Sequence, residues 1–165
     1  MDTNTGQITM LSLHIITVGK DKDAWITDQI GHYRTLLKKY ARVELTAVPE
    51  AKYAKGVDMA RVLAAEAERI IARLKGGYLM ALDVDGKSFD TPRLAAELQR
   101  LQTHGRSLLE FVIGGPYGLA PELKTRADLL ISLSPLTMSH QIVRVVLLEQ
   151  LYRVLDINAG GHYHK

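Results

Sequence analysis

The chain has 165 residues, 47% hydrophobic and 24% charged, with a net charge of +3 and no cysteine. That balance fits one globular domain with an ordinary core and excludes disulfides, thiol chemistry and cysteine-ligated zinc. The charge falls short of the basic excess of a free-standing nucleic-acid binder, while leaving an RNA partner admissible.

No apolar run reaches the ~18–20 residues that span a bilayer. The polar start MDTNTGQIT lacks the basic-then-apolar layout of a signal peptide. The expectation is a soluble, cytoplasmic protein without a membrane partner. Residues 1–9 read as a disordered extension or an upstream-start artefact, and residues 10–165 as one domain.

The apolar, β-branched run Leu11–Val18 predicts a strand covered on both faces. Asp23–Tyr40 predicts an amphipathic helix, with Trp25, Ile26, Ile30, Tyr33, Leu37 and Tyr40 at helical spacing and Asp21 or Asp23 as its cap. Arg42–Val48 predicts a second strand. The basic loop Pro49–Val57 reads either as solvated chain or as an RNA-facing loop, because Lys52 and Lys55 flank Tyr53. Asp58–Lys75 predicts a helix that buries Met59, Val62, Leu63, Ile70, Ile71 and Leu74, leaves Glu66, Arg69 and Arg73 to pair or face solvent, and stops at Gly76-Gly77.

Tyr78–Val84 predicts the third strand, and Asp85-Gly86 a turn. Thr91-Pro92 starts a helix with Thr91 as cap, ending near Gly105. Leu108–Ile113 is the fourth strand, Ala120–Arg126 a short helix and Leu129–Leu133 the fifth strand. Ser139–Asp156 is the last helix. The alternation predicts an α/β domain with a mainly parallel sheet flanked by helices. The last helix carries Val145, Val146, Leu147 and Leu148 in succession. More than one of its faces must therefore be covered, which predicts a homodimer through it.

Ligands of open α/β sheets sit outside the carboxyl ends of the strands. Three such ends draw attention: Leu82-Asp83, Gly114-Gly115 and Leu133–Met138. The glycines after the fourth strand allow close ligand approach, or simply a tight turn. No dinucleotide fingerprint and no P-loop occurs, so a nucleoside with little or no phosphate charge fits better. The loop SPLTMS can read an adenine edge with its main chain and pack the ring on Leu133, Leu136 and Met138. Its plainer reading is a helix entry capped by Ser139. His140 and Arg144 share a helical face and, with Tyr152 or Arg153, would line a polar cleft; a structural His140 is the alternative. The tail Gly160–Lys165 offers Tyr163, His162, His164 and Lys165 for stacking and phosphate binding. A His-x-His metal site is the rival reading, without a third ligand pattern, and no metal is expected.

The segments FVIGGPYGL, LSPLTMSHQIVRVVLLEQLYR and HYHK, with HIITVGK and LDVDGKSFDTPRLAAEL upstream, resemble the SPOUT-class ribosomal RNA large-subunit methyltransferase H family from Met10 to Lys165. The resemblance implies a homodimer and a C-terminal trefoil knot, which nothing in the periodicity shows. It implies transfer of a methyl group from S-adenosylmethionine to N3 of a pseudouridine in 23S rRNA, within assembled ribosomes. Carried over by position, the cofactor contacts are Leu82, Gly114, Leu133, Ser134, Pro135, Leu136, Thr137 and Met138, with Gly115 adjoining. The substrate side matches Arg144, Tyr152, Tyr163 and His164. The candidate catalytic groups are His140 and His164 as proton acceptors and Arg144 as a stabiliser of charge on the base carbonyl. Relatives usually carry Pro where this chain has Ser139, vary at Tyr117, and lack residues 1–9. A non-catalytic ribosome-binding or assembly protein and a SPOUT enzyme acting on tRNA are the alternatives.

Overall fold

The first strand, β1 (Leu11–Val18), alternates between two cores rather than between core and water. Leu11, Leu13 and Ile15 join one apolar cluster, and Ile16 and Val18 join another. Such a strand needs a sheet covered on both sides. The structure, a computed structural model, describes residues 10–165. The expected extension over residues 1–9 lies outside the described residues.

After β1 come α1 (Ala24–Leu37), β2 (Ala41–Val48), α2 (Met59–Ile71), β3 (Tyr78–Ser88) and α3 (Thr91–Thr103). Then follow β4 (Leu108–Ile113), α4 (Pro121–Arg126), β5 (Leu129–Ser132) and α5 (His140–Asn158). All the strands pair in parallel, in the order β2-β1-β4-β3-β5. The expected α/β architecture is the one the chain adopts. Helices α1, α3 and α5 cover one face, closing over Leu109, Phe111 and Ile113 of β4. Helices α2 and α4 cover the other, closing over Val112. On that second face Glu110 is buried, but its carboxylate accepts hydrogen bonds from the N–H groups of Lys75 (2.9 Å) and Gly77 (2.8 Å) and meets His14 Nδ1 at 2.9 Å. A buried carboxylate with that many partners ties the end of α2 to the sheet.

Several local expectations are corrected. Asp85-Gly86 is not a turn, because β3 runs on to Ser88 and pairs with β5 again after a register shift between Leu82 and Lys87. A Cβ at Gly86 would lie 2.7 Å from the Ile131 nitrogen, so glycine is what lets the two backbones meet at this bulge. The α3 cap is Asp90, whose carboxylate accepts from Arg93 N at 2.8 Å, and Thr91 is the first helical residue. Trp25 is 55% exposed instead of joining the stripe of α1. Asp23 takes the α1 cap position without a side-chain bond. Of the two roles open to Glu66, pairing or facing solvent, it takes the first: it is buried and accepts from Ala51 N at 3.0 Å.

Helix α5 packs against both α1 and α3, so its own subunit covers most of its circumference. The expectation that a partner must cover a whole second face therefore shrinks to a smaller patch. That patch holds Ile142, which is 41% exposed, and the half-buried Val145 and Val146.

Candidate active site

The sheet order places the carboxyl ends of β4, β3 and β5 side by side. Their loops enclose a hollow of about 210 Å3, or about 770 Å3 with its open mouth. Leu82 comes from β3, Gly114 and Gly115 follow β4, and Leu133, Ser134, Leu136, Thr137 and Met138 follow β5; all of these line the hollow. The expected cofactor positions therefore converge, apart from Pro135, which is not on the lining. His140 and Val143 close the hollow from α5.

Two features of the chain shape these loops. Gly118 has φ +83°, a left-handed conformation that favours glycine, and its N–H donates to Gly115 O at 3.0 Å. The resulting turn presses Gly118 against Gly114, where an added Cβ would stand 2.7 Å from the Gly118 carbonyl carbon. The β5 loop folds on Ser134, whose hydroxyl accepts from Leu136 N at 3.0 Å while its carbonyl accepts from Ser132 Oγ at 3.0 Å. Among the described residues, no backbone–backbone hydrogen bond engages 134–138. Apart from Leu136 N and Ser134 O, which those side chains engage, the main-chain groups of this loop are open to the edge of a base.

The lining is apolar apart from a few groups. Lys and Arg are absent from it, and its ionisable members are Asp83 and His140. Asp83 is paired with Lys124 Nζ at 2.6 Å, and that contact with the Asp85 N–H overcomes burial to hold its carboxyl below its ordinary range. Such a hollow suits an uncharged base and suits phosphate poorly.

His140 begins α5 behind the Ser139 cap, whose hydroxyl accepts from Gln141 N at 3.2 Å. Burial, reinforced by the nearby Arg144 charge, lowers the His140 pKa below the usual histidine value. Arg144 itself is 4% exposed. Its guanidinium donates to Asp21 Oδ1 and to the Val18 carbonyl, each at 2.6 Å, and its Nε has no partner. Gln141 adds a bond from Nε2 to Lys20 O at 3.1 Å. Together these side chains lock the start of α5 onto the carboxyl end of β1. Within one subunit Arg144 acts on that junction, and its guanidinium is enclosed rather than presented to a substrate.

The expected polar cleft from His140 through Arg144 to Tyr152 does not form. Tyr152 is buried and meets the Tyr163 ring edge-on at 4.7 Å. The tail folds back on the far half of α5. Asp156 accepts from Tyr40 OH at 2.6 Å and from Tyr163 N at 2.9 Å, Arg153 lies 4.5 Å over the Tyr163 ring, and His164 Nδ1 is 3.4 Å from Arg153 Nη1. The tail also reaches Glu149, whose Oε1 accepts from Tyr163 OH at 3.3 Å, six residues or about 9 Å of helix rise beyond Val143 on the lining. No residue of the tail lines the hollow. Asp21, expected as a possible helix cap, instead pairs with Arg144, and the roles of Gln141 and Asp156 were not foreseen. Only the pairing of Arg144 with a carboxylate was open to suspicion from charge alone. Among the described residues no group of three or more His, Cys, Asp or Glu could hold a metal ion.

A parallel sheet whose carboxyl-end loops form an apolar hollow has the layout of a ligand-binding α/β protein. The family described as "Predicted SPOUT methyltransferase" matches residues 11–164. A protein of Lactiplantibacillus plantarum named ribosomal RNA large subunit methyltransferase H is 39% identical over 159 residues, covering 94% of this chain and 100% of that one. A protein of the same name from Symbiobacterium thermophilum is 39% identical over 161 residues, with the same coverage. Among solved structures, a probable methyltransferase from Bordetella pertussis superimposes with a TM-score of 0.51 at 16% identity, covering 90% of this chain and 98% of that one. A probable methylase family protein from Haemophilus influenzae gives 0.51 at 12%, covering 96% and 71%; both bear on the fold alone. The chain belongs to the SPOUT methyltransferase family. It is a methyltransferase whose methyl donor is S-adenosylmethionine.

Proposed function

We propose that the protein methylates N3 of a pseudouridine in 23S rRNA, acting on assembled ribosomes in the cytoplasm. The observation that carries this reading is the end-to-end similarity to relatives named ribosomal RNA large subunit methyltransferase H, which this chain covers completely. The net charge of +3 is small, and the described residues form one α/β layer system without a separate RNA-binding module. A preformed ribosomal surface would then supply much of the specificity. No helix among the described residues is long and apolar enough to cross a membrane.

The donor fits the hollow. Main-chain groups of the 134–138 loop other than Leu136 N and Ser134 O are open to a base edge, Leu133 and Met138 offer apolar surface for its faces, and no Lys or Arg lines the hollow. When bound, S-adenosylmethionine supplies an electrophilic methyl group. The residues of the chain then have to align the acceptor and remove its N3 proton. Alignment alone contributes ~7–11 kcal/mol to reactions of this kind. His140 stands on the rim, and its lowered pKa keeps the imidazole neutral and able to take that proton.

No residue of the tail lines the hollow of its own chain, which favours an assembly of two copies. Pairing through the Ile142, Val145 and Val146 patch of α5 would bring the tail of one subunit, with Tyr163 and His164, to the hollow of the other. The C-terminal trefoil knot implied by the family resemblance is part of this proposal. It would hold α5 through the loops that build the hollow.

The test is mass spectrometry of RNA incubated with purified protein and isotopically labelled S-adenosylmethionine. Assembled ribosomes, large subunits, naked 23S rRNA and tRNA serve as substrates. Label on one pseudouridine of 23S rRNA, far stronger with ribosomes than with naked RNA, is the expected result. Label on tRNA would move the substrate assignment, and no label despite cofactor binding would favour a non-catalytic ribosome-binding protein.

The base assignment has its own signature. A group with a lowered pKa is deprotonated, and so competent as a base, down to a lower pH than an ordinary histidine with a pKa of about 6.5. Single-turnover methylation should therefore be independent of His140 titration above about pH 7 and fall about tenfold per pH unit only below its depressed pKa. His140→Gln should lower the rate by about 10²–10⁴-fold and remove that acid limb. An unchanged rate and profile would show that alignment suffices without His140.

A further inference from the structure

Two tyrosines outside the hollow meet above the carboxyl edge of the sheet. Tyr53 lies in the loop after β2 and Tyr117 in the turn after β4. Their ring centroids are 5.6 Å apart at a tilt of 38°, yet they remain 54% and 53% exposed. Because β1 lies between β2 and β4, the pair bridges over its end. Tyr117 also sits within the Gly114–Gly118 segment, whose glycines line the hollow. The aromatic pair and the donor site therefore share one short turn.

The pair is not needed to hold the loop down. The Glu66 carboxylate already accepts from Ala51 N at 3.0 Å, and Arg69 Nη1 donates to Pro49 O at 2.8 Å. Lys52 and Lys55 are exposed on either side of Tyr53, and Lys20 is exposed at the end of β1. Among the described residues these three cations form no ion pair, while the nearby carboxylates of Asp21 and Glu50 are taken by Arg144 at 2.6 Å and Lys22 at 4.0 Å. Half-open aromatic faces among unpaired lysines fit the chemistry of an unstacked nucleotide, its base on the rings and its phosphates on the cations.

We infer that Tyr53 and Tyr117 form a stacking platform for an unpaired nucleotide of the RNA substrate adjoining the target base, with Lys20, Lys52 and Lys55 on its phosphates. This rests on the rRNA methyltransferase reading and names a second contact surface of that same site. The platform sets the affinity for RNA and leaves the donor site untouched.

The test uses the full chain and ribosomes carrying unmethylated 23S rRNA. Binding is followed by co-sedimentation without cofactor, and methylation by single-turnover kinetics. Base–aromatic stacking lost to alanine corresponds to about 5–150-fold in affinity. Tyr53→Ala and Tyr117→Ala should each weaken ribosome binding within that range, with S-adenosylmethionine affinity by calorimetry within about threefold of the parent. Tyr53→Phe and Tyr117→Phe should retain near-parental binding, because the ring face does the work. Replacing Lys52 and Lys55 by Gln should reduce the slope of log affinity against log salt by about 1–2. If the parent methylates ribosomes but the Tyr53→Ala, Tyr117→Ala double variant binds them within twofold, the platform is wrong and the functional reading survives. A matching loss of cofactor affinity would assign the pair to shaping the turn and would equally overturn the platform. If the parent itself fails to methylate 23S rRNA, the functional reading falls first.

Discussion

Gly114→Ala should reduce S-adenosylmethionine affinity by at least about 100-fold while leaving the α/β fold in place. An added methyl at this position would overlap the Gly118 carbonyl group and stand 3.0 Å from Leu119 Cδ2. The obstacle is backbone and cannot rotate away. The turn has to shift by a good fraction of an ångström, and misplacement of ~1 Å in a positioned site costs on the order of 10²-fold. Overpacking itself costs roughly 1–3 kcal/mol, which a domain of this size tolerates. Gly115→Ala is the internal contrast. Its methyl would meet Val18 Cγ1 at 3.2 Å and Glu66 Oε2 at 3.4 Å, which are looser contacts and to side chains rather than backbone. Its affinity should fall less than about tenfold. Calorimetry with the cofactor, alongside circular dichroism for the fold, reads both. A Gly114→Ala protein that binds within threefold of the parent would dissociate the hollow from cofactor binding. The mechanism differs from simple filling of the pocket: the methyl would strike the chain's own turn, and the loss follows from the displaced loop.

That distinction marks where the sequence stopped being informative. Strand and helix order was legible because β-branched runs and helical spacing are local properties, and β1 was placed to the residue. The hollow was legible because ligand sites follow strand ends in such sheets, and the glycine and serine loops stand directly after β4 and β5. What failed was non-local. Asp85-Gly86 has turn composition, but an adjacent strand approached Gly86 closely and kept β3 extended. Glu66 can pair or face solvent on sequence alone, and only the loop after β2, with its backbone N–H, decides for a buried partner. Arg144 looked catalytic on its helical face, whereas the end of β1, more than a hundred residues upstream, supplies Asp21 and a carbonyl that enclose it. The tail was singled out for its composition, yet its docking partner Asp156 was invisible, because no periodicity reports which carboxylate a returning chain will meet.

Removal of Tyr163–Lys165 should lower methylation of ribosomes by at least about 100-fold and leave cofactor affinity within about threefold. The tail makes no contact with the hollow of its own subunit, since its partners are Glu149, Tyr152, Arg153 and Asp156 on the far half of α5. Cofactor binding should therefore not register its loss. Its conformation is nonetheless fixed. Gly161 N donates to Asp156 O at 2.8 Å, and a Cβ at Gly161 would overlap the Asp156 carboxylate, so only glycine lets the chain turn so close. Burial and contacts with Tyr33 and Glu149 push the Tyr163 hydroxyl up to about 12, so it remains a protonated donor throughout the neutral range. The Tyr40 hydroxyl and the Tyr163 N–H hold the Asp156 carboxyl below its ordinary range. A lowered carboxyl pKa contributes its stabilisation above the unfolded value of about 4 and loses it as the pH falls through the folded value. Docking of the tail should therefore persist at neutral pH and fail only in strong acid. A tail docked away from its own hollow would serve the reaction across a subunit boundary in the proposed assembly of two copies. Mixing the truncated protein with His140→Gln protein should then restore activity, because a mixed dimer pairs one intact tail with one intact hollow. Full activity of the truncated protein alone would remove the tail from the site, and failure of the mixture despite subunit exchange would place both elements in service of the same subunit.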